Sequence, residues 1–271
     1  MKKLALLILV SIFSNVLMAA PSSFYEAKKM ARKSVYFDRN DDGGLYCGCN
    51  WEWKGTTGGV TDLKNCNYSI RKDAKRAARV EWEHGVAAHD FGRHRQCWQV
   101  GGREHCKAND PVFSAMEADL FNLFIVVGEV NGNRSNYKPA MLPSTPNTYG
   151  ACETKIDFKA KRFEPRDEAK GEIARAYFYF YDRYDMNMSK QQQQLFMAWN
   201  KQFPVTAWEL ERDKRIAKLM GHHNEFVTGQ RQWTLNHKNT ADGIMSEWPR
   251  RTATTPVAKP LTPAPAVQEG S

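Results

Sequence analysis

The chain has 271 residues, 42% of them hydrophobic, and carries 39 Lys and Arg against 30 Asp and Glu, a formal charge of +9. That length holds one large domain or two small ones. A single apolar run stands at the start and no later segment is apolar enough to span a bilayer, which excludes a chain that crosses a membrane repeatedly.

Lys2 and Lys3 precede the apolar run Leu4 to Met18, and Ala19-Ala20 follow it before Pro21. A charged start, an apolar stretch and small residues make an export signal over residues 1–20. The run is 15 residues, short of the ~20 of a spanning helix, so cleavage is expected rather than anchoring. The mature chain then keeps 37 basic residues against 30 acidic ones, or +7. It should be soluble and periplasmic or secreted, with a moderate bias toward polyanionic partners.

Along the mature chain, residues 22–33 suit a short helix with Ser22 or Ser23 as N-cap. Residues 38–66 are rich in Gly, Asn and Cys and read as loops and brief strands. Val80-Glu81-Trp82-Glu83 reads as a strand that delivers His84 near its end. Asp110 at N-cap and Pro111 at N1 open a helix with Val112, Met116, Leu120 and Leu123 on one face. Residues 128–150 are expected to be irregular. A helix with a buried aromatic face (Ile173, Tyr177, Phe180, Tyr181, Tyr184) is expected over 166–184. Two more should start at capping boxes, Ser189 with Gln192 and Thr206 with Glu209, the second ending at Gly221. The fold class is α+β, one domain over 22–235, followed by a disordered Thr/Pro/Ala-rich tail over 236–271.

Six cysteines stand at 47, 49, 66, 97, 106 and 152. An even number in an exported chain reads as disulfides, with fifteen pairings open. The preferred set is Cys49–Cys66 and Cys97–Cys106, leaving Cys47–Cys152; the second would close a bridged hairpin across Gly101-Gly102. Zinc held by Cys97, Cys106, His94 and His105 is the rival, but the cysteine spacing fits no common structural zinc pattern.

The chemistry concentrates in Arg79-Val80-Glu81-Trp82-Glu83-His84 and in Gly128-Glu129-Val130-Asn131-Gly132. Together they offer an oxygen ligand, a base that titrates near neutrality and a second oxygen ligand, as metal-assisted attack on a phosphodiester requires. Adjacent strand residues point to opposite faces, so Glu83 and His84 serve one site only if the strand ends or bends there, and Gly85 is consistent with that. Asp38-x-Asn40-x-Asp42-Gly43 opens like a calcium loop, but Cys49 stands where a bidentate Glu is needed, so an acidic turn is expected. His89, His94, His105, His222 and His223 have no metal-binding spacing. Basic stretches at 71–79 and 93–103 are candidates for phosphate contact.

RVEWEH (79–84), FGRHRQCWQVGGREHC (91–106), DPVFSAMEADLFNL (110–123), VGEVNGNRSN (127–136), YGAC (149–152), IARAYFYF (173–180) and QQLFMAWNKQFPVTAWELERDKRIAKLMGHHN (193–224) occur in one order. In that order they resemble the endonuclease I family of bacterial periplasmic and extracellular nucleases. The resemblance implies a ββα-metal (His-Me finger) core in a mainly helical domain, and hydrolysis of DNA, and often RNA, with little sequence preference. It assigns metal binding to Glu83 and Asn131, the general base to His84, phosphate contact to Arg103 and a supporting carboxylate to Glu117. The implied cofactor is Mg²⁺, a hard ion that needs few protein oxygens, with Mn²⁺ or Ca²⁺ in its place as variants. The products would carry 5′-phosphate and 3′-hydroxyl ends, and a monomer is expected.

The chain departs from the family at Phe121 (usually His), Ala87 and Ile125 (Pro) and Gly85 (Val). Leu210 and Arg231 stand where relatives commonly carry two further cysteines. A missing bridge costs on the order of 2–4 kcal/mol if nothing compensates. Two rival readings have separate signatures. An exported nucleic-acid-binding protein of this fold without turnover would bind DNA and leave it uncut. A basic adhesive protein would bind heparin and DNA alike and ignore EDTA.

Overall fold

The computed structural model describes residues 20–245. Residues 1–19 of the expected export signal (1–20) and residues 246–271 of the expected tail (236–271) lie outside the described residues. In chain order the first part contains α1 (Phe24–Met30), a π-helical turn (Ala31–Val35), strands β1 (Trp51–Lys54) and β2 (Gly58–Thr61), then α2 (Ala74–Ala77) and β3 (Arg79–His84). There follow α3 (Ala88–Gly92), α4 (Gln96–Asn109), α5 (Pro111–Ala118), β4 (Leu123–Val127) and α6 (Gly128–Arg134). The second part has short strands β5 (Lys138–Pro139), β6 (Lys155–Asp157) and β7 (Arg162–Glu164). It closes with helices α7 (Asp167–Arg183), α8 (Lys190–Gln202), α9 (Ala207–Met220), α10 (Glu225–Thr228) and α11 (Asp242–Met245). The α+β expectation holds.

Strands β1-β2-β3-β4 form an antiparallel sheet in that order. Every residue of β4, Leu-Phe-Ile-Val-Val, is buried, as an apolar run covered on both faces should be. Expected caps form at Ser23, Asp110, Ser189 and Thr206, each side chain accepting from a backbone N–H in the first turn. Gly221 closes α9 in the left-handed conformation at φ +79°. Helix α7 is buried nearly all round, because Phe178 and Tyr179 are covered as well as the expected face.

Several expectations need correction. Residues 128–134, the start of the Gly-, Asn-, Pro- and Ser-rich stretch 128–150 expected to be irregular, form α6. A Cβ on Gly128 would lie 2.5 Å from the Arg76 carbonyl oxygen, and one on Gly132 would overlap the Arg76 guanidinium. These glycines permit close approach rather than ending a helix. The expected bridge at Cys97–Cys106 forms, but across two helical pieces of α4 kinked at Gly101 and Gly102 (φ +66° at Gly102), not across a hairpin. Glu209 does not complete its capping box. Its carboxylate instead takes buried Arg175 at 2.6 and 2.5 Å, and a desolvated bidentate charge pair outweighs an N-cap amide.

The domain also runs past 235. His237 stacks on Trp233 at 4.2 Å and donates to Asp182 at 2.6 Å, and Asp182 also accepts from Thr240. A buried carboxylate recruits the polar residues that composition assigned to the tail. Arg231, in place of a family cysteine, pairs with Glu225 at 2.6 Å and Asp182 at 3.0 Å, so this end of the chain is held to α7 by charge. Leu210, the other such position, is exposed, and nothing in the structure explains it. Asp38 and Asp42 of the calcium-like turn pair with Arg215 and Arg39.

Glu129, two residues before Asn131, fastens the approach to β3. Its carboxylate accepts from the Lys72 and Asp73 amides at 2.6 Å each, the Arg71 amide at 3.1 Å and the Tyr68 hydroxyl at 2.8 Å. Burial alone would raise its pKa, but these donors hold it below the ordinary carboxylate value. Glu129→Gln should therefore cost about 2–3 kcal/mol at pH 7 in urea melts. A depressed folded pKa adds stability only above the unfolded value. The gap between variant and parent should shrink as pH falls through the folded pKa, and a pH-independent gap would contradict this account.

Candidate active site

Strand β3, strand β4 and helix α6 place the chemistry. The β3–β4 ladder stays regular from Val80↔Val127 to His84↔Leu123. The pleat then sends Glu83 and His84 to opposite sides of the strand. The chain turns away just beyond, where Gly85 donates to the Asn122 carbonyl and Val86 to the Asn122 side chain. A Cβ on Gly85 would come 3.0 Å from Phe124, so the family's valine would force that ring to shift.

On one side stands His84, buried against Phe24 of α1 (ring centroids 4.7 Å) and Phe91 of α3 (6.1 Å). Its Nε2–H donates to the Glu117 carbonyl oxygen at 2.8 Å. A carbonyl can only accept, so the proton sits on Nε2 and the lone pair on Nδ1. Burial pushes the imidazole down to about 3, and the Arg103, Arg134 and Lys28 charges push the same way. The ring is neutral at physiological pH.

The same Glu117 holds Arg103 through its side chain at 2.5 Å. Arg103 follows the glycine kink of α4 by one residue, and Cys97–Cys106 spans that kink with Cα atoms 4.8 Å apart. Phe24 lies at the centre of this group. The Lys28 ammonium is 4.6 Å and the Arg103 guanidinium 5.6 Å from its ring centroid. Lys28 is pushed down by burial, then by the nearby charges of Lys107 and Arg103. Two cations, Lys28 and Arg103, thus flank the Phe24 ring beside the imidazole, an arrangement that favours an anion there.

On the other side, the buried Glu83 carboxylate takes Arg134 of α6 at 2.9 Å and the Tyr46 hydroxyl at 2.9 Å, both on Oε1. Arg134 also donates to the main-chain oxygens of His84 at 3.0 Å and Gly85 at 2.6 Å. It is 1% exposed and pins the end of β3. Burial raises the Glu83 pKa, with Arg134 and Tyr46 opposing. Tyr46 is set in turn by the Cys47–Cys152 bridge next to it and by Thr154, which donates to its carbonyl at 2.8 Å.

Asn131, half-buried, donates from Nδ2 to Glu81 Oε2 at 3.0 Å. Glu81 is held by Arg76 and Arg79. The structure thus joins His84, Glu117 and Arg103 in one group, and Glu83 with Arg134 and Tyr46 in another. No hydrogen bond links Glu83 to Asn131 among the described residues. Among the described residues two oxygens remain: Glu83 Oε2, without a side-chain partner, and Asn131 Oδ1, left as acceptor once Nδ2 is committed to Glu81. One carboxylate and one amide oxygen suit a hard ion that keeps its waters. All six cysteines form the preferred pairs 47–152, 49–66 and 97–106, which removes zinc from Cys97 and Cys106.

Tyr46, Arg134, Glu81, Phe24 and Lys28 were not singled out from the sequence. Glu81 had a readable signal, lying two residues from Glu83 and hence on its face of β3. Arg134 lies one turn from Asn131 on α6.

Two antiparallel strands and a following helix around a buried histidine define the ββα class of nucleic-acid-cutting enzymes. The family model for Endonuclease I matches residues 23–230, and the chain belongs to that family. It is 45% identical over 219 residues to Endonuclease-1 of Buchnera aphidicola subsp. Baizongia pistaciae, covering 80% of this chain and 87% of that protein. It is 41% identical over 225 residues to a periplasmic deoxyribonuclease of Aeromonas hydrophila (83% and 93% covered). An extracellular deoxyribonuclease of the same organism is 46% identical over 189 residues (69% and 82% covered).

Proposed function

We propose that this enzyme is an exported, Mg²⁺-dependent, non-specific endonuclease that hydrolyses DNA and also RNA, leaving 5′-phosphate and 3′-hydroxyl ends. Its periplasmic or extracellular location matches relatives named for those compartments, and no described helix is long and apolar enough to cross a membrane. The observation that carries the mechanism is the His84–Glu117–Arg103 group, in which one residue orients both base and cation.

His84 acts as general base through Nδ1, the nitrogen left unprotonated when Nε2–H is spent on Glu117. It takes a proton from water, which attacks phosphorus in line. Arg103 spends only Nε on Glu117 and is 37% exposed, so its terminal N–H groups are available to a phosphate oxygen. Lys28 and Lys107 add positive charge on that side. Glu83 Oε2 and Asn131 Oδ1 would hold the divalent ion across the end of β3 from His84, where the strand stops, with Glu81 keeping the Asn131 amide turned so that its oxygen is free. When bound, the ion supplies charge stabilisation to the leaving 3′ oxygen.

The test is digestion of a supercoiled plasmid and of an RNA by oxidised, purified protein. EDTA should stop cleavage and excess Mg²⁺ should restore it, with ends that accept a kinase label only after phosphatase treatment. Cleavage that persists in EDTA would remove the metal from the mechanism. Intact plasmid in Mg²⁺ would leave a binding protein without turnover.

Cys97→Ser with Cys106→Ser should lower kcat/KM by up to about 10²-fold, the cost of misplacing one group that positions substrate. The loop it frees carries Arg103 across the glycine kink. An unchanged kcat/KM would show that the bridge contributes stability alone.

A further inference from the structure

We propose that the groove between α1 and the β1–β2 hairpin is a second nucleic-acid site, which takes an unpaired stretch of the strand being cut beside His84. This rests on the nuclease reading above and extends it to a part of the surface that reading does not use. The groove has a volume of about 510 Å³ and is lined by Lys29, Arg32, Lys33, Phe37, Trp53 and Thr56. Half of those residues are cations, two are aromatic and none is acidic. Cations that follow a backbone, interleaved with rings that receive bases, are what a single strand requires. A duplex keeps its bases stacked inside and could use the charges but not the rings.

The lining is disposed for this. Phe37 is 57% exposed, with the Arg215 guanidinium 4.7 Å from its centroid. Arg32 lies 5.1 Å from the Trp53 centroid and is steadied by the Gly55 carbonyl. Trp53 is stacked on Trp82 of β3 at 5.9 Å, so it is a rigid platform. Lys29 pairs with Glu26 at 3.3 Å, both side chains 42% exposed. Such a surface pair is weak enough to yield to a phosphate.

Helix α1 connects the groove to the cut. Phe24 and Lys28, one turn apart, face His84, while Lys29 and, a turn further, Arg32 and Lys33 face the groove. A strand crossing α1 spans roughly 10 Å, the width of a helix. Oligonucleotides shorter than that cannot occupy both places.

The test uses the full mature chain carrying His84→Ala, so that bound strands survive. Affinities for labelled (dT)20 and a 20-base-pair duplex are measured at several salt concentrations, with and without Lys33→Glu plus Phe37→Ala. The added pair should weaken (dT)20 about tenfold or more, lower its salt slope, and weaken the duplex much less. Phe37→Ala alone, at an exposed position, should account for part of the loss. Equal (dT)20 affinity in both proteins, or an equal loss for duplex and single strand, would overturn the groove as a single-strand site. Failure of the chain with His84 intact to cut plasmid, with the (dT)20 loss unchanged, would instead refute the catalytic reading and leave the groove standing.

Discussion

His84→Ala should leave plasmid DNA intact at concentrations where the parent degrades it, a loss of about 10²–10⁴-fold in kcat. The ring is the one group in its cluster that is neutral, buried and oriented, with Nε2–H committed and Nδ1 free. Removing it also leaves a hole between Phe24 and Phe91, so a fall in activity alone could come from repacking. Added imidazole separates the two, because it can refill the hole and replace the base. Partial recovery, with circular dichroism unchanged, is the expected result. No recovery together with an altered spectrum would assign His84 to the core, and full activity in the variant would end its role as base.

Arg134→Ala should be the most destabilising single change near the site, at about 3–5 kcal/mol in urea melts. Arg134 lies within 3.0 Å of three oxygens: Glu83 Oε1 and the carbonyls of His84 and Gly85. Its loss strands a buried carboxylate and unpins the end of β3 in one step. Most of the expected cost is the unpaired Glu83 charge. Arg134→Ala with Glu83→Gln should therefore recover a substantial part of it, a coupling that a double-mutant cycle reads directly. Additive losses would show that the pair does not hold β3. Arg134→Lys should not substitute, since a single ammonium lacks the fork of donors with which the guanidinium meets three oxygens at once.

The Arg134 result bears on the metal as well. The guanidinium and the proposed ion would share one carboxylate, on Oε1 and Oε2 respectively. Arg134 is thus a resident partner that opposes the burial-driven rise of the Glu83 pKa and holds one oxygen of its carboxylate. Phe121, where the family usually has His, is buried against Tyr179 (4.7 Å) and His222 (5.7 Å). That departure is filled by an aromatic contact, and His84 is not among those two ring partners.

Much of the fold was legible because its signals are local. Ser23, Asp110, Ser189 and Thr206 sit within three residues of the amides they cap. Helix α6 was not legible, since Gly128 and Gly132 argue against a helix on propensity. Only their close approach to Arg76 explains them. The segment 236–245 was missed for a similar reason. Its order comes from Asp182, more than fifty residues earlier, rather than from its own composition.

By itself the sequence determined the helix starts, the run of β3, the even set of cysteines, the family and the residue types at the centre. Tertiary structure alone decided that the pleat parts Glu83 from His84, that Glu117 faces both His84 and Arg103, and that Asn131 turns its amide to Glu81. The physical reason is range. Caps and periodicity act between residues a few positions apart, whereas His84 and Glu117 meet across 33 positions, and Glu81 and Asn131 across 50. Such partners are chosen by how whole elements pack.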